Sequence, residues 1–248
     1  MTKKTRPLTT LALAGGLVLA CLHAVAAPPT AAEVGDADSF GRRVVFAGLV
    51  VTGGVALASD CTPDPNFPPG PEDRCVVLNT APLPTTFSFP DIGRITLPGS
   101  SVNSLLCHWA TANVFYSLAN NTAAPLTARF SVRPTYRIES EVLADPALIN
   151  PQTSAPFGGG IDLSISGISD TQTLAPGAIN ARQETGTRTC VAGLVSKASL
   201  SRDYGLSDSQ IKRLFQRPIT IRVGVTGRAI GVADASMFYS TRFTGDER

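Results

Sequence analysis

Glu139 and Glu141, in the stretch "IESEV", are the pair in this 248-residue chain whose type and spacing most suggest chemistry. On a strand, residues two apart share a face. Two carboxylates about 5–10 Å apart across a cleft are what glycoside hydrolysis uses, one as proton donor and the other as nucleophile or base. Asp145 and Asp162 lie downstream as further carboxylates. The chain holds one Trp and four Tyr, which is lean for a groove that stacks sugar rings. A carboxylate-dependent, glycosidase-like hydrolase using Glu139 and Glu141 is therefore the alternative reading rather than the leading one.

Other catalytic chemistry has little to draw on. The only histidines are His23 and His108, and the sequence holds no H-E-x-x-H, G-x-S-x-G, P-loop or G-x-G-x-x-G pattern. A nucleophile–histidine system would have to use His108, between Cys107 and Trp109. If Cys107 is buried in a disulfide, strand alternation turns His108 towards solvent. The segment "CTPDPNFPPGPEDRC" gathers Asp60, Asp64, Asn66, Glu72 and Asp73, but their spacing matches no EF-hand. The sequence thus predicts no catalytic, cofactor or metal site.

The cysteines point to structure instead. The N-terminus has a basic stretch (Lys3, Lys4, Arg6), an apolar run from Leu8 to Val25, and Ala24-Val25-Ala26 as a small-residue cleavage site. Those are the three parts of an export signal. Residues 1–26 are read as signal peptide, with cleavage near Ala26, 27–41 as an N-terminal extension and 42–248 as a single domain. Cys21 follows Val18-Leu19-Ala20 much as the lipidated cysteine of bacterial lipoprotein signals does. Membrane attachment is expected only if Cys21 is lipidated. Cys61, Cys75, Cys107 and Cys190 then remain, and four cysteines in an oxidising compartment allow two disulfides and three connectivities. The short Pro-rich loop pairs Cys61 with Cys75, and elimination pairs Cys107 with Cys190.

Charge excludes a further class. The signal carries three of the 21 Lys and Arg and none of the 19 Asp and Glu, so the rest of the chain holds 18 basic and 19 acidic residues. Nucleic-acid affinity rests on clustered basic residues that neutralise phosphates. This matters because "DYGLSDSQIKRLF", Asp203 to Phe215, has the turn glycine and apolar spacing of a DNA-binding helical pair. Ser207 and Gln210 form a capping box, Leu206 and Ile211 a hydrophobic staple, and Pro218 a stop. Without a basic surface, and behind an export signal, the pair reads as a structural cap on one end of the fold.

The elements that must carry these residues are strands. Charged residues are sparse at 16%, and Thr, Ser, Val, Gly and Pro punctuate short alternating runs. "LTARFSVRPTYRIESEV" alternates most cleanly, with Phe130, Val132, Pro134, Tyr136 and Ile138 on one face and Pro134 marking an edge or a bulge. "ITIRVGVTG" repeats the pattern at Ile219, Ile221, Val223 and Val225. Val44 to Val51 is apolar throughout apart from Gly48, which predicts a strand buried on both faces or packed as a central strand, turning at Gly53-Gly54 as a hairpin. "NSLLCHWATANVFYSLANN" predicts two strands parted near Ala112-Asn113. Val191, Leu194, Val195 and Ala198 have helical spacing, with Thr189 as N-cap.

The fold expected is a mainly β, antiparallel β-sandwich with a short two-helix insertion near the C-terminal third. The function expected is a structural or interaction role at the bacterial cell envelope or exterior. It would be exercised through a protein partner or self-association at an exposed edge strand, with no nucleic acid and no cofactor.

Overall fold

The computed structural model describes residues 44–189 and 194–246. Alternating runs become strands of two packed sheets. The larger holds β1 (Val44–Val51), β2 (Val55–Ala58), β3 (Arg74–Val77), β5 (Leu105–Ala119), β11 (Ile179–Thr189), β12 (Val195–Ser196) and β14 (Val232–Asp246). The smaller holds β4 (Thr85–Leu97), β6 (Leu126–Glu139), β9 (Gly160–Ser164), β10 (Ile168–Leu174) and β13 (Ile219–Ile230). A short ribbon, β7 (Ile149–Asn150) with β8 (Ala155–Pro156), stands apart. Neighbours run β11-β5-β14-β2-β3 in one sheet and β10-β6-β13-β4 in the other. Every pairing is antiparallel except β2 with β3. The expected mainly β sandwich with two helices is the fold.

Long central strands are flanked by broken ones. β1 and β2 lie end to end along β14, facing Ser240–Asp246 and Ala235–Met237 respectively. They are collinear, not the hairpin that Gly53-Gly54 suggested. Between them Thr52 keeps β14 company, its N–H donating to Tyr239 O and its Oγ1 accepting from Tyr239 N, both at 2.9 Å. The Gly53 N–H then donates to Ile92 O of the opposite sheet at 2.7 Å. A Cβ on Gly53 would lie 2.5 Å from the Glu72 backbone, so a glycine lets the chain pass there.

β9 and β10 are broken in the same way along β6, which they meet at residues 135–139 and 126–132. Pro134 falls in the gap between them. The proline predicted an edge or a bulge; β6 is central, and the interruption sits in its neighbour, where no ladder bond is required on that side. β5, by contrast, runs unbroken through Ala112-Asn113, paired on both sides with β11 and β14.

Inward side chains of both sheets fill one interior in two neighbouring clusters. One gathers Val114, Tyr116, Phe130, Val225 and Met237. The other joins Leu106, Ile138, Ile221 and Phe243 to the helical end. There α1 (Lys197–Arg202) and α2 (Asp208–Gln216) contribute Leu200, Ile211, Leu214 and Phe215. Gln210 Oε1 accepts from the Ser207 N–H and hydroxyl, both at 2.8 Å, and Gly205 turns between the helices at φ +67°. The pair caps the sandwich, as its pattern suggested. The first helix starts later than predicted: Val195 belongs to β12, and Ser196 is the N-cap of α1. Gly231, at φ +60°, is the single residue that turns β13 of one sheet into β14 of the other.

Candidate functional site

Glu139 and Glu141 do not share a strand face. β6 ends at Glu139; Ser140 caps a 3-10 turn over Glu141–Ala144, so Glu141 points from a different element. The turn begins because the Ser140 hydroxyl accepts from the Val142 N–H, offering the backbone an alternative to the ladder. Each carboxylate has a guanidinium partner. Arg222 Nε lies 3.0 Å from both Glu139 oxygens, and Arg217 Nε lies 2.9 Å from Glu141. Arg222 also binds Asp91, and Arg137 joins Glu139 at 3.4 Å to Asp162 at 2.7 Å. The result is a ladder of alternating sign, Asp91–Arg222–Glu139–Arg137–Asp162, across β4, β13, β6 and β9. Glu139 and Glu141 both border one pocket of about 440 Å³ at this end of β6, but each is held by its own arginine instead of standing free as the acid or base that two-carboxylate hydrolysis requires. Asp145 is spent on a turn, accepting from the Ala147 N–H at 2.9 Å.

The acidic loop is organised for itself. Asp60 accepts from Thr62 N and Oγ1, Asp64 from Asn66 N and Nδ2, and Asp73 from the Gly54 and Gly70 N–H groups. The hydrogen bonds from Thr62 hold the Asp60 carboxyl below its ordinary range. Among the described residues no group of three or more His, Cys, Asp and Glu is arranged to hold a metal. Cys61 and Cys75 are bonded, with Cα atoms 5.7 Å apart, and strap the crossover that parallel β2 and β3 need. The expected partner bond, Cys107 to Cys190, lies outside the described residues.

His108 corrects its expectation. It points inward and is 7% exposed, edge-on to Tyr136 with ring centroids 5.3 Å apart. Leu106 and Ala110 set the inward phase of β5, and Trp109 takes the outward position. Burial pushes the imidazole pKa down, and its Nδ1 has no hydrogen-bond partner among the described residues.

The outer face of the larger sheet is the surface the sequence reading missed. Val44–Val51 is not buried on both faces. A bulge between Phe46 and Gly48 shifts the phase of β1, so Phe46, Leu49 and Val51 all face solvent at 60, 53 and 58% exposure. Register continues the face: Leu49 lies opposite Arg242 and Arg242 opposite Trp109, while Phe115 and Phe238 are exposed further along. The Arg242 guanidinium rests 5.1 Å from the Phe46 ring centre. β1 pairs with β14 alone, so among the described residues no strand is hydrogen-bonded along its other edge, although β4 of the smaller sheet packs against β1. An uninterrupted apolar run cannot itself distinguish a buried strand from an edge strand with an exposed apolar face. The missing neighbour is a tertiary fact.

No protein-family model matches the chain, and no curated protein matches it. Among solved structures, the Gx strain of infectious bursal disease virus aligns over 75% of this chain and 37% of its own, at 11% identity and a TM-score of 0.19. A T13 particle of the same virus aligns over 82% and 35%, at 10% identity and a TM-score of 0.17. The chain spans little more than a third of those proteins, and a likeness of that size assigns neither fold nor function.

Proposed function

We propose that this is an exported structural or interaction protein of the cell envelope or exterior, and that it works by strand pairing at β1. The observation that carries the reading is the β1 edge that no strand among the described residues pairs, flanked by the exposed apolar side chains of Phe46, Leu49 and Val51. Soluble proteins protect free edges with lysine, proline, bulges or covering elements. "VVFAGLVV" contains no charge and no proline, and its one bulge turns more apolar surface outward. The occupant that fits is a second copy of this chain. An uncharged strand pairs antiparallel with itself across a two-fold axis without like-charge repulsion, and each copy extends the apolar face of the other. Export follows from residues 1–26 as a signal peptide and suits the Cys61–Cys75 bond.

Light scattering across a dilution series of the chain beginning at Ala27 tests the pairing. A dimer that dissociates on dilution is expected, and Leu49→Lys with Val51→Lys should abolish it without altering the circular dichroism. A wild type that is monomeric at every concentration, or a doubly substituted chain that dimerises equally well, would overturn the reading. Export is checked separately by the intact mass from native cells, which should begin near Ala27 or carry a lipid on Cys21.

A further inference from the structure

The outward face of the smaller sheet uses its arginines in two ways. At one end of β6 and β13, Arg137 and Arg222 each stand between two carboxylates. Towards the other end the same two strands present Arg129, Arg133 and Arg228, all exposed and none with a carboxylate partner among the described residues. Arg228 lies opposite Ser131, and Arg129 and Arg133 are the outward residues on either side of Ser131. Diagonal neighbours in an antiparallel pair stand about 7–8 Å apart, within reach of long side chains. Arg228 therefore sits between the other two cations. The outward positions around them are hydroxyls without charge: Thr127 on β6, Ser169 and Thr171 on β10, and Thr226 on β13.

The break between β9 and β10 gives this cluster a hollow. There the chain crosses β6 so closely that a Cβ on Gly167 would lie 2.6 Å from Arg133 Cβ and 2.1 Å from Val132 O, which a larger residue could not tolerate. Beside Gly167 a recess of about 380 Å³ opens on the outward face, and Ser131, Arg133, Ser169, Thr226 and Arg228 all line it. Glu184 borders the space on the inner side of the 165–168 segment and does not line the recess.

Guanidinium groups stay charged at any pH a folded protein meets, and their planar forks match the oxygens of a phosphate. Two of them facing one recess repel each other, and the carboxylates that relieve such repulsion around Arg137 and Arg222 have no counterpart here. An anion would supply that relief. A phosphate has enough oxygens to meet both forks and a hydroxyl donor together, whereas a carboxylate has two. We infer that this recess is a binding site for a phosphate group, free or borne on a larger molecule, held between Arg133 and Arg228 with hydroxyl donors from Ser131, Ser169 and Thr226. Arg129 extends the positive field along β6 and favours doubly charged phosphomonoesters over singly charged anions.

The arginine Nε–H resonances of the chain beginning at Ala27, titrated with inorganic phosphate at constant ionic strength, test this. Saturable shifts at Arg133 and Arg228 are expected, with acetate bound roughly five- to tenfold more weakly. Arg228→Gln should keep the circular dichroism and weaken phosphate by a similar factor, read at Arg133. Arg94→Gln, on β4 beside Asp91 at 4.0 Å and away from the recess, should leave the affinity unchanged. Cosedimentation with phosphatidylcholine vesicles, with and without phosphatidic acid, separates the sources of the phosphate. Binding that needs both phosphatidic acid and Arg228 assigns a lipid headgroup; free phosphate bound without any vesicle binding assigns a soluble ligand. Absence of saturable phosphate shifts, shifts that acetate reproduces equally, or an affinity that Arg228→Gln leaves intact would each overturn the assignment.

Discussion

The two sheets are built from the same alternating pattern, bury the same kinds of side chain between them, and yet turn opposite surfaces outward. Across the smaller sheet, neighbouring strands place Asp91, Arg222, Glu139, Arg137 and Asp162 in a row of alternating charge. Across the larger sheet, the outward positions include Phe46, Leu49, Val51, Trp109, Phe115 and Phe238, with Arg242 as a cation against an aromatic ring. Within the charged row each charge has an opposite neighbour, while Arg129, Arg133 and Arg228 continue β6 and β13 as exposed cations. The larger sheet exposes apolar area beside a strand edge that no strand among the described residues pairs, and both favour contact with another chain. A row of paired charges on a strand face is thus a poor pointer to activity here, while an uncharged one marks the surface with unfinished contacts.

The contrast can be broken most severely at the strap beside the apolar sheet. Cys61→Ser with Cys75→Ser releases a loop of sequence separation 14. A loop of this size corresponds to about 3 kcal/mol in the chain-entropy account. Denaturant unfolding should show that loss, and hydrogen exchange should place it in β2 and β3 rather than in the charged sheet.

Between the faces, His108 makes the shared interior sensitive to acid. Its folded pKa is lowered, so the unfolded chain binds the proton more readily and stability drains away as pH falls below about 6.5. Stability measured from pH 7.5 to 5 should therefore decline less steeply in His108→Phe than in the wild type. Equal slopes would mean that another group titrates.

On the charged face, Arg222→Ala leaves Glu139 and Asp91 without the cation between them. A loss of about 1 kcal/mol at low salt is expected, shrinking at 1 M salt as screening removes the repulsion left behind. Light scattering should register no change in association. The smallest effect on stability belongs to the apolar face. Leu49→Lys with Val51→Lys should stay within about 0.5 kcal/mol of wild type per site, because both side chains are more than half exposed. Association should respond in the opposite order. Should Arg222→Ala disrupt the dimer while the lysines leave it intact, the two faces would exchange roles.

Much of the architecture was legible in the residues themselves. The period of two in "LTARFSVRPTYRIE" put Phe130, Val132, Tyr136 and Ile138 inward because adjacent side chains on a strand must point to opposite faces. Ser207, Gln210, Leu206 and Ile211 defined the start of α2 through contacts three to five residues apart, and the Pro-rich loop brought Cys61 to Cys75. These are local constraints, and the sequence by itself determined them. Tertiary structure alone decided that Val44–Val51 is an edge, that Thr52–Gly54 steps along β14 instead of turning back, and that His108 faces Tyr136. It also decided that Glu139 meets Arg222, 83 residues away, rather than a second carboxylate. Each depends on which strand lies alongside, and pairing partners are chosen by the collective burial of both sheets. An apolar octapeptide carries the same pattern whether it has one neighbour or two; only the assembled sandwich distinguishes them.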